Sequence, residues 1–304
     1  ARGWFSAGYG PMWRLSGSSS ESIRYAVGSG IVSRHVTLFR EDAALSESED
    51  WLKKMHSRTL ETDRSDIDQL KLLVDGVTKL LSDGLLPHGM HISRLTVDNV
   101  FVLDDRGVEL PMREISDGCC GVYATVLDLV HGMYEVYGAD GLFETDADGT
   151  MTVTVPGVVL IDEIEAHLHP SWQRDIPEWL KLHFPNVQFL VTTHSPLIAQ
   201  AADPNGLFVL PLQNDTHREA RALSAVEYER IRMGNAHKTV LGIAFGLHTT
   251  RTRWANKQIR QWQKLEAKQQ AGAPLSSKEK KELKHLAKQM DLAFDSDVEL
   301  NGAD

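Results

Sequence analysis

Residues 158–170 read VVLIDEIEAHLHP. Four apolar residues run straight into two carboxylates, Asp162 and Glu163, followed by Glu165, His167, His169 and Pro170. An aspartate at a strand end suits Mg²⁺, which takes oxygen ligands and keeps several of its waters. The glutamate beside it can position and deprotonate an attacking water. A second apolar run, NVQFLV, ends on His194 in VTTHSP, where an imidazole can contact a transferred phosphoryl group or its water. Phosphoryl transfer needs mostly positioning and charge neutralisation, and this set of side chains suits it. Upstream, EISDG covers residues 114–118 at a predicted helix start. Backbone N–H groups there bind phosphate, and a small Ser116 and Gly118 allow close approach.

These residues need elements to hold them. GVVLIDE is β-branched, unbroken and short, which reads as a fully buried strand, and NVQFLVTTHS reads as another. Ligand sites in parallel α/β sheets lie at the carboxyl ends of strands. The segment between them, Pro170 to Phe184, is amphipathic and opens with proline in its first turn, a helix signature. Ser116 stands as N-cap of a long apolar-periodic helix reaching about Tyr137. DIDQLKLLVDGVTKLL has apolar residues at 67, 70, 73, 74, 77, 80 and 81, a helical period, and WLKKMHSR is helical too. HISRLTVD and NVFVLDD alternate like strands with DDRG as a hairpin turn. Residues 3–9 and 31–39 read as short strands, and GADGLFETDADGTMT as a surface loop. Strands alternating with helices give an α/β fold with a sheet that is parallel at its centre.

The chain has 304 residues and a formal net charge of −10, so uniform attraction to nucleic acid is excluded and any basic surface must be local. One is present. Residues 251–290 hold eleven Lys/Arg and three Glu, +8, which leaves −18 elsewhere. They form two helical stretches, 251–270 and 277–292, with a capping box at Ser276 and Glu279. The only cysteines are Cys119 and Cys120, which fits a reducing cytoplasm rather than a disulfide framework, and they read as small packing residues. No run is long enough for a membrane span and no signal peptide is visible.

In this order, ISDG, VVLIDE, EAHLHP and VTTHSP resemble the ABC-type ATPase head, a P-loop NTPase fold. The likeness is greatest to the SMC/RecF/OLD-like branch of AAA-family ATPases, many of whose members act in DNA repair or anti-phage defence. ISDG is similar to the LSGGQ signature, with Ile115 for Leu, Asp117 for the first Gly and Cys119 for Gln. The resemblance implies ATP and Mg²⁺ as cofactors, Asp162 supporting the metal, Glu163 as catalytic base and His194 as the γ-phosphate sensor. Ser116, Asp117 and Gly118 would meet the nucleotide held by a second head, and Glu165 and His167, in the D-loop, would also take part in binding it. The working unit would be a dimer of heads with ATP between them, and a GYGP stretch with Arg14 would lie near the nucleotide or the interface. Residues 1–250 would then be the C-terminal part of the head, with a helical lid or insertion at 41–90 and a core at 91–212. Residues 251–304 would be a basic helical extension.

A P-loop requires G-x-x-x-x-G-K-[ST], and no Gly in this chain is followed by Lys. The chain opens on strand-like WFSAGYG, so the expectation is that this cradle lies before Ala1, or that another chain supplies it. Nothing after residue 200 reads as a nuclease, so the expected output is control of a separate effector, nuclease-like, as in Septu-type defence. Direct DNA binding in repair is the alternative, and a membrane transporter fits the signature and TTHSP less well. His167 and His169, with Asp162, Glu165 and His194, also leave open a metal-dependent phosphoesterase. Residues 251–290 would dock a partner protein or contact nucleic acid through Arg and Lys interleaved with Trp254 and Trp262. DADG at 146–149 reads as a solvated turn.

Overall fold

The computed structural model describes residues 4–11, 33–38, 46–61, 65–211, 219–236 and 251–294, with Thr239, Phe245 and Thr249 between the last two stretches. Arg14 lies outside the described residues. The chain divides into two compact units, 1–236 and 237–304.

The first unit opens with β1 (Phe5–Tyr9) and a 3₁₀ turn at Ser33–Leu38. Helices α1 (Ser46–Thr59) and α2 (Ile67–Ser82) follow. Next comes an antiparallel meander of β2 (His91–Leu95), β3 (Val100–Leu103) and β4 (Glu109–Pro111). A short 3₁₀ turn, Met112–Glu114, delivers the chain to α3 (Asp117–Tyr137). Beyond it lie the hairpin β5 (Phe143–Thr145) and β6 (Met151–Val153), strand β7 (Gly157–Ile161), helix α4 (Pro170–His183) and strand β8 (Val187–Val191). The unit closes with α5 (Pro196–Gln200), the two-residue strands β9 (Phe208–Val209) and β10 (Arg221–Ala222), and α6 (Ala225–Arg232).

The central sheet is parallel, in the order β1-β7-β8. Crossovers through helices are what parallel neighbours require, and α4 makes the one between β7 and β8. On one face, Val159 and Ile161 meet Val122, Val126 and Leu129 of α3 and Ile176 and Leu180 of α4. The void among them is about 20 Å³, little more than room for one water. Helix α3 is buried on most of its surface because α1 and α2 cover its far side. Ser116 caps it by accepting from the Cys119 N–H at 3.4 Å. Two indoles lock α4 to the turn after α2: Trp172 donates to the Leu85 carbonyl at 3.0 Å and Trp179 to that of Asp83 at 2.6 Å.

Three local expectations change. The segment 31–39 contains a 3₁₀ turn rather than a strand, and its Leu38 side chain presses on Gly8 of β1. The stretch 138–152, expected as a surface loop, carries the β5–β6 hairpin, which ends on Val153, fully buried with Leu142. Strands β7 and β8 are not buried on both faces. In β7, residues 157, 159 and 161 are buried while Val158 and Leu160 are half-buried. In β8, Gln188, Leu190 and Val191 are exposed. Unbroken apolar composition signals two covered faces, and among the described residues helices cover one. Cys119 and Cys120 pack at the start of α3. The Cys120 thiol donates to the Met112 carbonyl at 3.0 Å, and it is pushed up to about 11, first by burial and then by Cys119, Asp117 and Glu49.

The second unit contains a helical hairpin, α7 (Arg253–Gln270) and α8 (Ser277–Phe294). Leu265, Leu286 and Met290 are its buried apolar residues. The capping box forms: Glu279 accepts from the Ser276 N–H at 2.8 Å while its own N–H donates to Ser276 Oγ at 3.2 Å. Glu279 also pairs with Lys268 of α7 at 2.7 Å. Among the described residues, no helix is long and apolar enough to cross a membrane.

Lys268 and the Ser276 amide hold the Glu279 carboxyl down from 4.5 to about 2. The folded value lies below the unfolded one, so the stabilisation is present above about pH 4.5 and is lost as pH falls towards 2. Hydrogen exchange over 276–284, corrected for intrinsic rate, should show the hairpin loosening across that window. Glu279→Gln should be looser at pH 6 and insensitive to the same titration; equal slopes in both proteins would contradict the assignment.

Candidate functional site

The register brings Tyr9, Ile161 and Val191 level at the carboxyl ends of β1, β7 and β8. The ladder runs one residue further. The Asp162 N–H donates to the Tyr9 carbonyl at 2.8 Å, and the Thr192 N–H to that of Ile161 at 2.9 Å. Beyond this point one further backbone bond, from the Ile164 N–H to the Thr192 carbonyl at 3.2 Å, and several side chains hold the two loops together. The Thr192 hydroxyl donates to Asp162 Oδ1 and accepts from the Glu163 N–H at 2.8 Å. Glu165 accepts from the Thr193 hydroxyl at 2.5 Å with Oε2, and from the His194 N–H with Oε1. Gln173 of α4 donates to the Leu168 carbonyl at 2.9 Å and accepts from the Ser195 hydroxyl at 2.7 Å. Ser195 in turn caps α5.

What these cross-links leave free defines the site. Among the described residues, the exposed side chains of Glu163 and His194 have no hydrogen-bond partner, and Asp162 keeps one carboxylate oxygen uncommitted. Glu163 has φ 49°, a left-handed conformation that few residues other than glycine adopt, so the chain leaves strand geometry directly after Asp162. His167, with φ 64°, turns it again. One free carboxylate oxygen fits Mg²⁺, which uses one or two carboxylates alongside waters and substrate phosphates. It does not fit a protein-caged metal. Among the described residues no three or more His, Cys, Asp or Glu side chains gather into a ligand group, although all five that a metal phosphoesterase would draw on are described. His169 is occupied as the N-cap of α4, with Nδ1 accepting from the Ser171 N–H at 3.3 Å.

The ISDG turn joins this edge from below. Ser116 and Asp117 are exposed, and Gly118 is buried against the 163–169 loop. A Cβ on Gly118 would overlap the His167 carbonyl oxygen, so glycine is required by close backbone approach. The structure therefore brings Asp162, Glu163, Glu165 and His194 to one sheet edge and seats Gly118 on His167.

Helix α1 supports both halves through residues absent from the sequence-derived candidates. Ser48, fully buried, donates to Asp128 Oδ1 at 2.7 Å, and the Tyr9 hydroxyl donates to Oδ2 at 3.0 Å. Burial pushes the Asp128 carboxyl up, against the pull of those two donors. Tyr9 is the residue whose carbonyl holds Asp162. The next residue, Glu49, is 2% exposed and pairs with Lys53 at 3.2 Å and with Arg113 at 3.1 Å. Arg113 lies in the turn that leads into Ser116. Thr192, Thr193 and Gln173 were likewise missed; hydroxyl residues directly after an apolar strand are the signal that could have marked the first two.

Residues 13–199, more than half of the chain, match the family AAA_21, described as "AAA domain, putative AbiEii toxin, Type IV TA system". The chain belongs to the AAA_21 family. Among curated proteins this AAA_21 chain is 29% identical over 177 residues to Septu protein PtuA of Bacillus thuringiensis, covering 57% of the chain and 42% of that protein. It is 35% identical over 109 residues to "Retron Ec83 probable ATPase" of Escherichia coli, covering 36% and 18%. It is 60% identical over 42 residues to "Retron Vc95 probable ATPase" of Vibrio cholerae, covering 14% and 8%. The chain thus spans less than half the length of these relatives. Among solved structures, one described under ATP-driven dimerization and DNA-stimulated activation of SMC ATPases aligns with TM-score 0.37 and 14% identity, covering 55% of this chain and 94% of that one. The Smc head of Pyrococcus furiosus bound to the C-terminal domain of ScpA aligns with TM-score 0.31 and 14% identity, covering 62% and 53%.

Gly118→Ala tests the seat of the ISDG turn. The added methyl meets backbone, which yields poorly, so overpacking should lower stability by about 1–3 kcal/mol. Urea denaturation measures it, and an unchanged midpoint would mean the 163–169 loop moves freely.

Proposed function

We propose that this chain is the hydrolytic part of an ATPase head that closes on ATP as a dimer and switches a separate effector. The observation that carries the proposal is the edge shared by β7 and β8. There Glu163 and His194 are left free at adjacent strand ends while Asp162, Thr192, Glu165 and Thr193 are spent fixing the two loops. When bound, ATP and Mg²⁺ supply the phosphoryl group and the neutralising charge. Asp162 would hold the cation through its uncommitted oxygen, Glu163 would take a proton from the attacking water, and His194 would contact the γ-phosphate. Glu165 acts on the chemistry through the His194 backbone, and His167 through its contact with Gly118. Ser116, Asp117 and Gly118 present the start of α3 to the nucleotide of the opposing head. A helix N-terminus suits that role because its free N–H groups and dipole favour phosphate.

The cradle for the β- and γ-phosphates comes from outside residues 1–304. Two features support this. The chain has no phosphate-loop sequence, and among the described residues β8 is paired on one edge only. A further strand along that edge would end beside His194 and would cover Leu190 and Val191, which are 50% and 39% exposed. Similarity to PtuA and to the retron ATPases supports a role in prokaryotic anti-phage defence, in which the head controls a nuclease-like partner. A repair-type ATPase that itself grips DNA is the second reading, and the basic second unit is what favours it.

In a polypeptide that includes the phosphate loop, Glu163→Gln keeps the shape of the side chain and removes its basicity. Turnover should fall by about 10²–10⁴-fold, while ATP stays bound and the dimer persists in size-exclusion chromatography. Unchanged turnover would remove Glu163 from the role of base.

A further inference from the structure

One face of α7 carries Arg253, Lys257, Arg260 and Lys264, with Asn256 and Gln261 between them, and these six line a single groove. The four cations are all exposed. Their spacing is one per helical turn, so they form a ladder about 16 Å long at 1.5 Å rise per residue. Among the described residues none of the four makes an ion pair. Of the acids on α8, Glu279 pairs with Lys268 at 2.7 Å, while Glu282 accepts from Gln261 of the groove at 3.2 Å. Trp254, beside the first cation, is 63% exposed.

We infer that this face of α7 binds the phosphodiester backbone of a nucleic acid. A regular row of unpaired cations matches a polymer of regularly spaced anions. Asn256 and Gln261 each keep one further amide N–H beyond those given to the Arg251 carbonyl and Glu282, and Trp254 offers a ring on which a base can stack. A protein-docking face would centre on apolar residues, and this groove has none among its six. Charge also localises the contact. The positive charge is concentrated in residues 251–290, at +8, and the remainder of the chain, at −18, repels a polyanion. This deepens the second reading of the function by naming the binding face and its ligand, and it does not depend on ATP hydrolysis, because the contact requires no nucleotide.

The test is equilibrium binding of the whole chain, without ATP, to fluorescent 20-nucleotide single-stranded DNA, the matching duplex and the matching RNA, between 50 and 200 mM salt. Four phosphate contacts give a slope of log K against log salt of about −3 to −4, or a loss of about a hundredfold over that range. The variant R253E/K257E/R260E/K264E should abolish both the binding and the slope. K71E/K79E, equal in kind but on α2, should change neither. The preferred polymer among the three tells which nucleic acid is bound. Competition by polyglutamate as effective as by DNA at equal charge would overturn the inference in favour of an acidic protein, and so would binding that survives the quadruple variant. Circular dichroism of both variants confirms that the helices persist, since all the replaced side chains are exposed.

Discussion

The hydroxyl of Thr192 lies between the carboxylate of Asp162 and the amide of Glu163, and much of the site depends on that placement. Two parallel strands are held by their ladder only as far as the last paired residue. Past that point each loop is free to leave in its own direction. Here Thr192, Glu165 and Gln173 each cross from one loop to the other. The amides of Asp162, Thr192 and Ile164 donate to carbonyls of the neighbouring segment, and those of Glu163 and His194 to side chains. The same economy leaves Glu163 and His194 without protein partners, available to a ligand.

Helix α1 extends this logic outward. Consecutive buried polar residues, Ser48 and Glu49, reach in two directions. Ser48 meets the carboxylate that anchors Tyr9, and Glu49 meets the arginine ahead of the ISDG turn. A displacement of α1 would therefore be felt at the Asp162 edge and at Ser116 together. Glu49 balances its charge with both Lys53 and Arg113, as a buried carboxylate must. A helix that looks peripheral in sequence is thus tied to both ends of the site by hydrogen bonds and an ion pair.

Much of the architecture was legible in the sequence where local physics dominates. The apolar period of α2, the Ser116 cap, the proline at the start of α4 and the Ser276–Glu279 box all depend on neighbours within a turn or two. The order of ISDG, DE and TTHSP pointed to a family that the match over 13–199 supports. Contacts between distant segments were not legible. Nothing in TTHSP announces that its two threonines bind Asp162 and Glu165, because those partners lie about thirty positions away. Glu165 read as a ligand-facing residue, yet both of its oxygens face the neighbouring loop. Leu38 and its neighbours read as a strand by composition, but the stretch coils into a 3₁₀ turn beside Gly8. The half-open faces of β7 and β8 were invisible to composition, which records hydrophobicity and not what lies opposite.

The central claim is that the strand-edge residues and the ISDG turn of one chain serve different nucleotides in a dimer. Mixing tests it most directly. Two inactive variants, Glu163→Gln and Ser116→Phe, are prepared with the phosphate loop present, and ATP turnover is measured for each alone and for the mixture. If sites are shared between heads, a mixed dimer places both defects in one site and leaves the other intact, so mixing restores turnover. If each chain builds its own complete site, every site in the mixture carries a defect, and turnover stays at the level of the separate variants.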